Sequence, residues 1–274
     1  MKTIIITGSN SGIGKEAAQI LAKSGHRILM LCRDSEKSRQ VQREIVSQSG
    51  NEDVFLVPVD LAEPGSMRAA VAQIKSEYPV IDVLVNNAGI YKVKRQETPG
   101  GVEITLSVNF LAPFMLSQML LENLQASGNG RIINVVSELY KNGSIDFGNL
   151  MLEKGYKAGD AYANAKLATV LYTVELANRV KNTGLCVNAM HPGVLATDAF
   201  RDYPALLTKV LNLFLEIPHK GGERIAYLAV SDEVEAVSGK YFYKTEARPI
   251  ELPNLANGTT EKLWGLAEEL TGLA

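Results

Sequence analysis

Two kinds of segment alternate along the chain. Short, mostly apolar runs are separated by longer stretches with the apolar periodicity of amphipathic helices. Because continuous apolar runs are typical of strands buried on both faces, this alternation predicts a parallel sheet covered by helices on both sides. The predicted strands are Lys2–Thr7, Arg27–Cys32, Val54–Val59, Ile81–Val85, Arg131–Val136, Leu185–Met190 and Lys240–Tyr243. We therefore expect one α/β domain over residues 1–274, a Rossmann-like doubly wound sheet of about seven strands.

Two segments interrupt this alternation. Residues 138–159 form a long, glycine-containing connection, and residues 194–220 are apolar but follow the sixth predicted strand. Loops at the carboxyl ends of the strands carry the ligands in such sheets. We expect the second segment to be a substrate lobe that closes over the site as an apolar lid.

Composition narrows the class of protein. Of 274 residues, 46% are hydrophobic and 21% charged, and the net charge of −2 without basic clusters does not favour nucleic acid or an anionic membrane as a partner. Cys32 and Cys186 are isolated, so we expect neither a disulfide framework nor a metal site, and the simplest location is a reducing cytoplasm. No apolar run reaches membrane-spanning length, and the early first strand leads us to expect no signal peptide or membrane anchor.

A glycine-rich turn follows the first predicted strand. Gly8, Gly12 and Gly14 have the spacing G-x-x-x-G-x-G, and Ser11 and Ile13 lie between them, just before a helix-forming stretch. Glycines let the backbone approach a pyrophosphate, while a helix N-terminus offers N–H donors and a positive dipole end. The turn predicts a dinucleotide site, with an ordinary glycine-rich turn as the alternative.

A nucleoside triphosphate loop is the other function that this turn suggests. That motif requires four residues between its first glycine and a Gly-Lys pair, followed by Ser or Thr to hold Mg²⁺. Here five residues separate Gly8 from Gly14, and Lys15 is followed by Glu16, whose carboxylate would repel phosphates. The spacing therefore argues against a kinase.

The end of the second predicted strand indicates which nicotinamide cofactor is used. A carboxylate at this point accepts hydrogen bonds from the ribose and repels a 2′-phosphate. Cys32 occupies that position, Arg33 follows at once, and Lys37 lies one helical turn later. Because a guanidinium pairs with a phosphate through two hydrogen bonds, we predict NADP(H). The alternative is that these are solvated charges, one of them neutralised by Asp34.

Two further strand ends carry candidate cofactor contacts. Asp60, followed by Leu61, ends the third strand; its carboxylate could accept from the adenine amino group or cap the next helix. The fourth strand ends in Asn87, Ala88 and Gly89, where the amide can pin neighbouring turns and the small residues let a cofactor lie close.

Tyr162 and Lys166 carry the strongest chemical signal. They are four residues apart, so on a helix they share one face. A phenol with a pKa of about 10 transfers protons poorly at neutral pH, but a nearby ammonium favours the phenolate and lowers that pKa. Tyr162 is therefore the candidate general acid and base. The alternative is a Tyr–Lys pair on the surface.

Two more polar residues complete the candidate catalytic set. Ser137 follows the fifth predicted strand, where its hydroxyl can hydrogen-bond a carbonyl oxygen. Asn109 lies in an otherwise apolar helical stretch and needs a partner for its amide. It could be a satisfied core asparagine, or it could hold a water molecule for proton relay.

Together these motifs resemble the short-chain dehydrogenase/reductase family. The order T-G-x-x-x-G-x-G, N-N-A-G, Ser, Y-x-x-x-K and P-G is that of the family. The resemblance implies a catalytic tetrad of Asn109, Ser137, Tyr162 and Lys166, in which the lysine also holds the nicotinamide ribose. It also places the segment "HPGVLAT" near the nicotinamide, with contacts from Pro192, Gly193, Val194 and Thr197.

A narrower resemblance is to the retinol-dehydrogenase-like branch. It rests on "CRD" followed by Lys37, the long spacing from Ser137 to Tyr162, and "IDFGNL" at 145–150. Many members of that branch use NADP(H) on apolar aldehydes, ketones or alcohols. The chain departs from the branch at Val136, where a second serine is usual, and we do not expect the N-terminal membrane anchor that many members have.

These observations predict an NADP(H)-dependent carbonyl reductase or alcohol dehydrogenase acting on a small apolar substrate. The alternative of another class is a dinucleotide-sensing regulator, which would have no need of Tyr162. Helical stretches at 110–124 and 167–177 are apolar around much of their circumference. One face must cover the sheet, so the rest, together with the family resemblance, leads us to expect a homodimer or homotetramer.

Overall fold

Eight strands form one sheet in the part of the chain that the computed structural model describes, residues 1–193, 217–252 and 255–273. The strands are β1 (Thr3–Thr7), β2 (Arg27–Cys32), β3 (Val54–Pro58), β4 (Val83–Asn86), β5 (Arg131–Val135), β6 (Cys186–His191), β7 (Tyr241–Tyr243) and β8 (Glu246–Arg248). Their order is β3-β2-β1-β4-β5-β6-β7-β8, and the first seven run parallel. The predicted doubly wound parallel sheet is confirmed.

The eighth strand was missed in the sequence. β8 pairs antiparallel with β7 through the register Tyr243 with Glu246, so a tight hairpin turn joins them. The strand is short and polar, and its turn contains no glycine: Lys244 takes the left-handed conformation instead, with φ of +61°. A non-glycine residue rarely adopts this conformation, so the sequence carries no ordinary hairpin signal here.

Helices cover both faces of the sheet. They are α1 (Gly12–Lys23), α2 (Glu36–Ser49), α3 (Pro64–Glu77), α4 (Ile104–Leu106), α5 (Ala112–Met119), α6 (Leu121–Gln125), α7 (Ala158–Arg179), α8 (Pro218–Val230) and α9 (Thr259–Thr271). A π-helical turn, Ser107–Leu111, joins α4 to α5. Helices α1, α2 and α8 bury one apolar core against the sheet, and α3, α5, α7 and α9 bury the other.

The C-terminal helix α9 packs on the apolar helices α5 and α7, whose composition led us to expect a homodimer or homotetramer. Trp264 on α9 packs its ring 5.0 Å from that of Phe114 and 5.9 Å from that of Tyr172, and the Arg179 guanidinium lies 3.9 Å from its centre. The apolar side chains of α5 and α7 are thus buried within one chain. Their burial does not require a second copy, and the expected homodimer or homotetramer stays a prediction without this support.

The predicted substrate lobe lies mostly outside the described residues, which stop at Gly193 and resume at Ile217. Its last residues, 217–220, lead into α8 rather than forming part of a lid. Helix α8 packs closely on α1, because Gly222 has no side chain and a Cβ there would lie 2.5 Å from the Cβ of Glu16.

Candidate active site

A cavity of about 430 Å³ opens at the carboxyl ends of β1, β2, β3 and β4. The strand order reverses between β1 and β4, where sheets of this kind bind their ligands. Seven of the predicted cofactor residues line this cavity: Gly8, Ser11, Arg33, Asp60, Leu61, Ala88 and Gly89. The other predicted cofactor residues that the structure describes do not line it: Gly12, Ile13, Gly14, Lys37, Asn87, Tyr162, Lys166, Pro192 and Gly193.

The glycines bring the first turn close to the loop after β4. Gly8 has φ of +67°, and a Cβ there would lie 3.0 Å from the Cα of Ala88. A Cβ on Gly14 would lie 2.6 Å from the Gly8 carbonyl oxygen and would overlap the Asn87 amide. Ser11 begins α1 in an extended conformation, yet its hydroxyl makes no capping hydrogen bond. The N-terminal donors of α1 are therefore left for a ligand.

Asn87 pins these two loops together. Its side-chain amide donates to the Thr7 carbonyl at 2.8 Å, while the Thr7 hydroxyl accepts from the backbone N–H groups of Asn87 and Ala88, both at 2.9 Å. The Asn87 amide thus lies behind the cavity wall and joins the two loops, as we expected from the sequence. It fixes the position of Ala88 and Gly89, which do line the cavity.

The two charged residues that follow Gly14, Lys15 and Glu16, contact side chains on other helices. Lys15 forms an ion pair with Glu44 of α2 at 2.6 Å, and Glu16 bonds the imidazole of His219 on α8 at 2.9 Å. Both side chains thus fix α1 against neighbouring helices. Neither is left to hold or repel a phosphate, which agrees with the rejection of a triphosphate loop.

Arg33 is exposed at the cavity edge. Asp34, the acid that could have neutralised it, instead pairs with Arg39 through two bonds of 2.9 and 2.6 Å. Among the described residues Arg33 forms no ion pair. The Ser38 hydroxyl donates to the Arg33 carbonyl at 2.7 Å, which fixes the backbone at the start of α2. Lys37 lies on the same turn outside the cavity and already has a partner.

Asp60 closes a turn and does not cap helix α3. Its Oδ1 accepts from the Ala62 N–H at 2.9 Å, whereas the N-cap position of α3 is Glu63. The helix-cap alternative is therefore wrong, and Asp60 remains on the cavity wall.

Buried amides position α7 against the sheet. Asn86 at the end of β4 donates to Asn134 of β5 at 2.8 Å, and Asn134 donates to the Thr173 hydroxyl of α7 at 2.9 Å. All three are buried, so these bonds specify one register between helix and strands.

Tyr162 and Lys166 lie on one face of α7, as their spacing predicted. The Lys166 ammonium lies 5.6 Å from the centre of the Tyr162 ring and donates to the Val135 carbonyl at 2.9 Å. The Ser137 hydroxyl accepts from the Leu139 N–H at 3.3 Å and lies near enough to the Tyr162 phenol to favour its ionised form. The structure thus brings Ser137, Tyr162 and Lys166 together, at the end of β5.

Burial determines the pKa values of this pair. Desolvation raises the pKa of Tyr162 to about 12 although the ring is only half-buried, and the nearby Ser137 side chain offsets part of this rise. Desolvation also lowers the pKa of Lys166 to about 8. The expected lowering of the Tyr162 pKa is therefore not seen, because burial is the dominant cause and acts in the opposite direction.

Asn109 lies in the π-helical turn and holds the loop after β4. Its amide accepts from the Ile90 N–H at 2.8 Å and donates to the Ile90 carbonyl at 2.9 Å, so both polar atoms have protein partners. A Cβ on Gly89 would lie 3.5 Å from both the Asn109 Oδ1 and the Lys166 Nζ. Asn109 is thus satisfied, and its oxygen lies on the same side of Gly89 as Lys166.

The segment after β6 is described only in its first half. Gly193 has φ of +95°, and the Arg224 guanidinium donates to the Pro192 carbonyl at 2.5 Å. This φ would strain any residue other than glycine, whereas a Cβ there would come close only to the movable end of the Arg224 side chain. Val194 and Thr197 lie outside the described residues.

Eleven residues of the cavity lining were not predicted as cofactor contacts, and three of them follow Ile90 in one loop: Tyr91, Lys92 and Gln96. All three follow β4 within a polar loop that carries no periodic signal. Their position just after Asn87-Ala88-Gly89 was the one available clue. Tyr91 places its ring 5.7 Å from that of Tyr162, which connects the cavity to the catalytic candidates.

Residues 2–205 match the short chain dehydrogenase family over most of the chain. The chain belongs to this family. Among its relatives, human retinol dehydrogenase 14 is 37% identical over 291 residues, which cover 99% of this chain and 87% of that protein. The expected likeness to retinol dehydrogenases is confirmed.

Solved structures of short chain dehydrogenase type agree with the fold. An uncharacterized protein from Mycobacterium paratuberculosis has a TM-score of 0.79 and 26% identity, with 99% of this chain and 94% of that chain covered. A protein from Beutenbergia cavernae, described as an NAD(P)-dependent gluconate 5-dehydrogenase with NADP bound at low occupancy, has a TM-score of 0.70 and 27% identity. That match covers 89% of this chain and 94% of the other.

Proposed function

We propose that this member of the short chain dehydrogenase family is an NADP(H)-dependent oxidoreductase that interconverts an apolar aldehyde or ketone and its alcohol. The observation that carries the proposal is the meeting of Tyr162, Ser137 and Lys166 at the end of β5, where the Tyr162 ring lies against Tyr91 of the cavity wall. A protein that only sensed a dinucleotide would have no use for a half-buried phenol beside a buried ammonium at this place.

The described residues fit a dinucleotide. Gly8 and Gly14 lie where any side chain would collide with Ala88 or the Gly8 carbonyl, and the N-terminus of α1 has unused donors. When bound, the cofactor would supply the hydride chemistry. Gly8, Ser11 and the α1 N-terminus would hold its pyrophosphate, and Asp60 would face its adenine.

The side chains at the end of β5 would then handle the proton. Ser137 would orient the substrate carbonyl by a hydrogen bond, and Tyr162 would donate a proton to its oxygen during reduction. The pKa of Tyr162, raised to about 12, keeps the phenol protonated at neutral pH, but it lies further from neutrality than the match that favours proton transfer. Lys166 would use a second donor on the nicotinamide ribose, and Asn109, whose side chain bonds the Ile90 backbone, would hold the loop after β4 in place.

Arg33 supports NADP(H) as the cofactor. It lies at the cavity edge, Asp34 is occupied by Arg39, and no carboxylate stands at the Cys32 position. Arg33→Ala would remove a charge-assisted bond worth about 1.5–3 kcal/mol. We expect its KM for NADPH to rise roughly tenfold or more while that for NADH changes little. Arg43, which pairs with Glu36 on α2 away from the cavity, is the matched control for Arg33.

The expected substrate is apolar. Ile90, Ile104 and Val108 line the cavity together with polar residues such as Asn10, Lys92 and Gln96, so this expectation rests on the resemblance and not on the lining. The retinol dehydrogenases among the relatives are named for an apolar alcohol. In the described residues no helix combines the length and apolar character needed to cross a membrane. Both cysteines are free and buried, and the cytoplasmic location stays a prediction.

The proposal is tested by following NADPH and NADH consumption with a panel of aldehydes and ketones. We expect turnover with apolar aldehydes and a preference for NADPH. Tight NADPH binding without turnover on any carbonyl of the panel would favour the dinucleotide sensor, and a preference for NADH would refute the role given to Arg33.

A further inference from the structure

The segment Ile90–Lys92 is held rigidly on the wall of the cavity. On one side, the Asn109 amide makes two hydrogen bonds with the Ile90 backbone, at 2.8 and 2.9 Å. On the other side, the Tyr156 hydroxyl donates to the Lys92 carbonyl at 2.8 Å. The residue between these two clamps is Tyr91, so its backbone position is fixed before any ligand binds.

A second bond ties the same loop to the long connection before α7. The Arg95 guanidinium donates to the Met151 carbonyl at 3.1 Å and pairs with Glu97 at 2.6 Å. Together with the Tyr156 bond, this joins the loop after β4 to residues 151–156, the connection that leads into the helix of Tyr162. The wall and the catalytic helix are thus linked through this connection.

The Tyr91 ring lies against the candidate acid. Its centre is 5.7 Å from that of Tyr162 with an angle of 51° between the planes, and Tyr91 lines the cavity while remaining half-buried. Tyr91 thus belongs both to the cavity wall and to the surroundings of the candidate acid. A bound carbonyl within reach of the Tyr162 hydroxyl would have its adjoining group next to the Tyr91 ring.

We infer that Tyr91 is a specificity-determining residue, which favours carbonyl compounds whose carbonyl carbon carries a planar aromatic group. The inference rests on the proposed function and narrows its substrate class. Aromatic rings gain stabilisation from offset or tilted contacts beyond what buried area supplies, corresponding to about a two- to tenfold effect on binding. A saturated ring of the same size would bury similar area without this gain. Because Asn109 and Tyr156 already fix the backbone of this segment, binding costs little conformational entropy in the cavity wall.

The test compares kcat/KM for benzaldehyde and cyclohexanecarbaldehyde with NADPH in the full chain. Tyr91→Phe keeps the ring, whereas Tyr91→Leu and Tyr91→Met keep apolar volume without it. Tyr78→Leu is the matched control, since Tyr78 ends α3 at the opposite edge of the sheet and contacts Arg27. We expect the aromatic-to-saturated ratio to fall about two- to tenfold in the Leu and Met variants and to hold in Tyr91→Phe and Tyr78→Leu.

A binding readout separates this inference from the proposed function. Benzamide and cyclohexanecarboxamide resemble the two aldehydes but cannot be reduced under these conditions, and calorimetry gives their Kd for the protein loaded with NADP⁺. A ratio of Kd values that shifts in Tyr91→Leu supports the role of Tyr91 even if no aldehyde is turned over, in which case the proposed function alone fails. Ratios in either assay that are the same for wild type, Tyr91→Leu and Tyr91→Met overturn the inference.

Discussion

Replacing Gly14 by alanine tests whether the first turn is built for close approach. Gly14 and Gly265 are both helical glycines with ordinary negative φ, one at the start of α1 and one within α9. A Cβ on Gly265 would meet nothing within 4 Å, whereas a Cβ on Gly14 would lie 2.6 Å from the Gly8 carbonyl oxygen and overlap the Asn87 amide. The same substitution should therefore have opposite effects.

The magnitudes follow from these surroundings. In an exposed helix interior alanine is favoured over glycine by about 0.5–1 kcal/mol, so Gly265→Ala should raise the free energy of unfolding by that amount. At Gly14 the added atom must displace backbone of the β1 turn, and overpacking of this kind costs about 1–3 kcal/mol. The two variants should thus differ in stability by about 1.5–4 kcal/mol.

Urea unfolding measures this difference directly, provided that the slope with denaturant is the same in wild type and both variants. The displaced turn would also misalign the donors of α1, so Gly14→Ala should bind NADPH roughly tenfold more weakly or worse, by about 1.4 kcal/mol. Gly265→Ala should bind it like wild type. If Gly14→Ala proved as stable as Gly265→Ala and bound NADPH normally, the close approach of the two loops would play no part in cofactor binding.

Substitutions of two buried residues, Lys166 and Trp264, give two further predictions. Burial lowers the pKa of Lys166 to about 8 from an unfolded value near 10.5, so protonation opposes folding. Wild-type stability relative to Lys166→Met should therefore be highest above pH ~10.5 and fall as pH drops to about 8; a difference independent of pH in that window would contradict this. Trp264→Ala should lower the free energy of unfolding by about 3–5 kcal/mol, because the ring is buried against Phe114, Tyr172 and Arg179, and Trp264→Phe by clearly less. A surface-like loss below about 0.5 kcal/mol in Trp264→Ala, measured by urea unfolding, would mean that α9 does not cover these helices.

Most of the sheet could be predicted from local pattern. Strands buried on both faces must be apolar throughout, and β1, β2 and β5 accordingly begin and end within a residue of their predicted bounds. β8 could not be predicted in this way. Its three residues owe their conformation to pairing with β7, and the turn depends on a left-handed Lys244 that no sequence rule favours.

In the candidate site, too, local pattern identified some features and not others. Gly8, Tyr162 and Lys166 were identifiable because local spacing alone places them, on a turn or on one helical face. Side-chain partners were not identifiable. That Asp34 pairs with Arg39, and that Lys166 bonds Val135, depends on distances between elements.

The place of Tyr91 on the cavity wall could not be predicted from the sequence either. Its loop has no periodicity, and its position is set by hydrogen bonds from Asn109 and Tyr156, which lie on other elements. Likewise, the apolar stretches of α5 and α7 have the composition of an interface, but the C-terminal helix covers them. An apolar composition indicates that a helix face is buried, but it does not indicate whether the same chain or a second copy buries it.

The central claim is that Tyr162 transfers the proton in a reaction that consumes NADPH. The direct test is a single-turnover measurement of NADPH oxidation by an apolar aldehyde, in wild type and in Tyr162→Phe, after both are shown by calorimetry to bind NADPH equally. Tyr172→Phe is the control, since it removes a buried hydroxyl from the same helix. We expect the rate to fall roughly 10²-fold or more in Tyr162→Phe and to change by no more than a few-fold in Tyr172→Phe. A Tyr162→Phe rate within a few-fold of wild type would contradict the account.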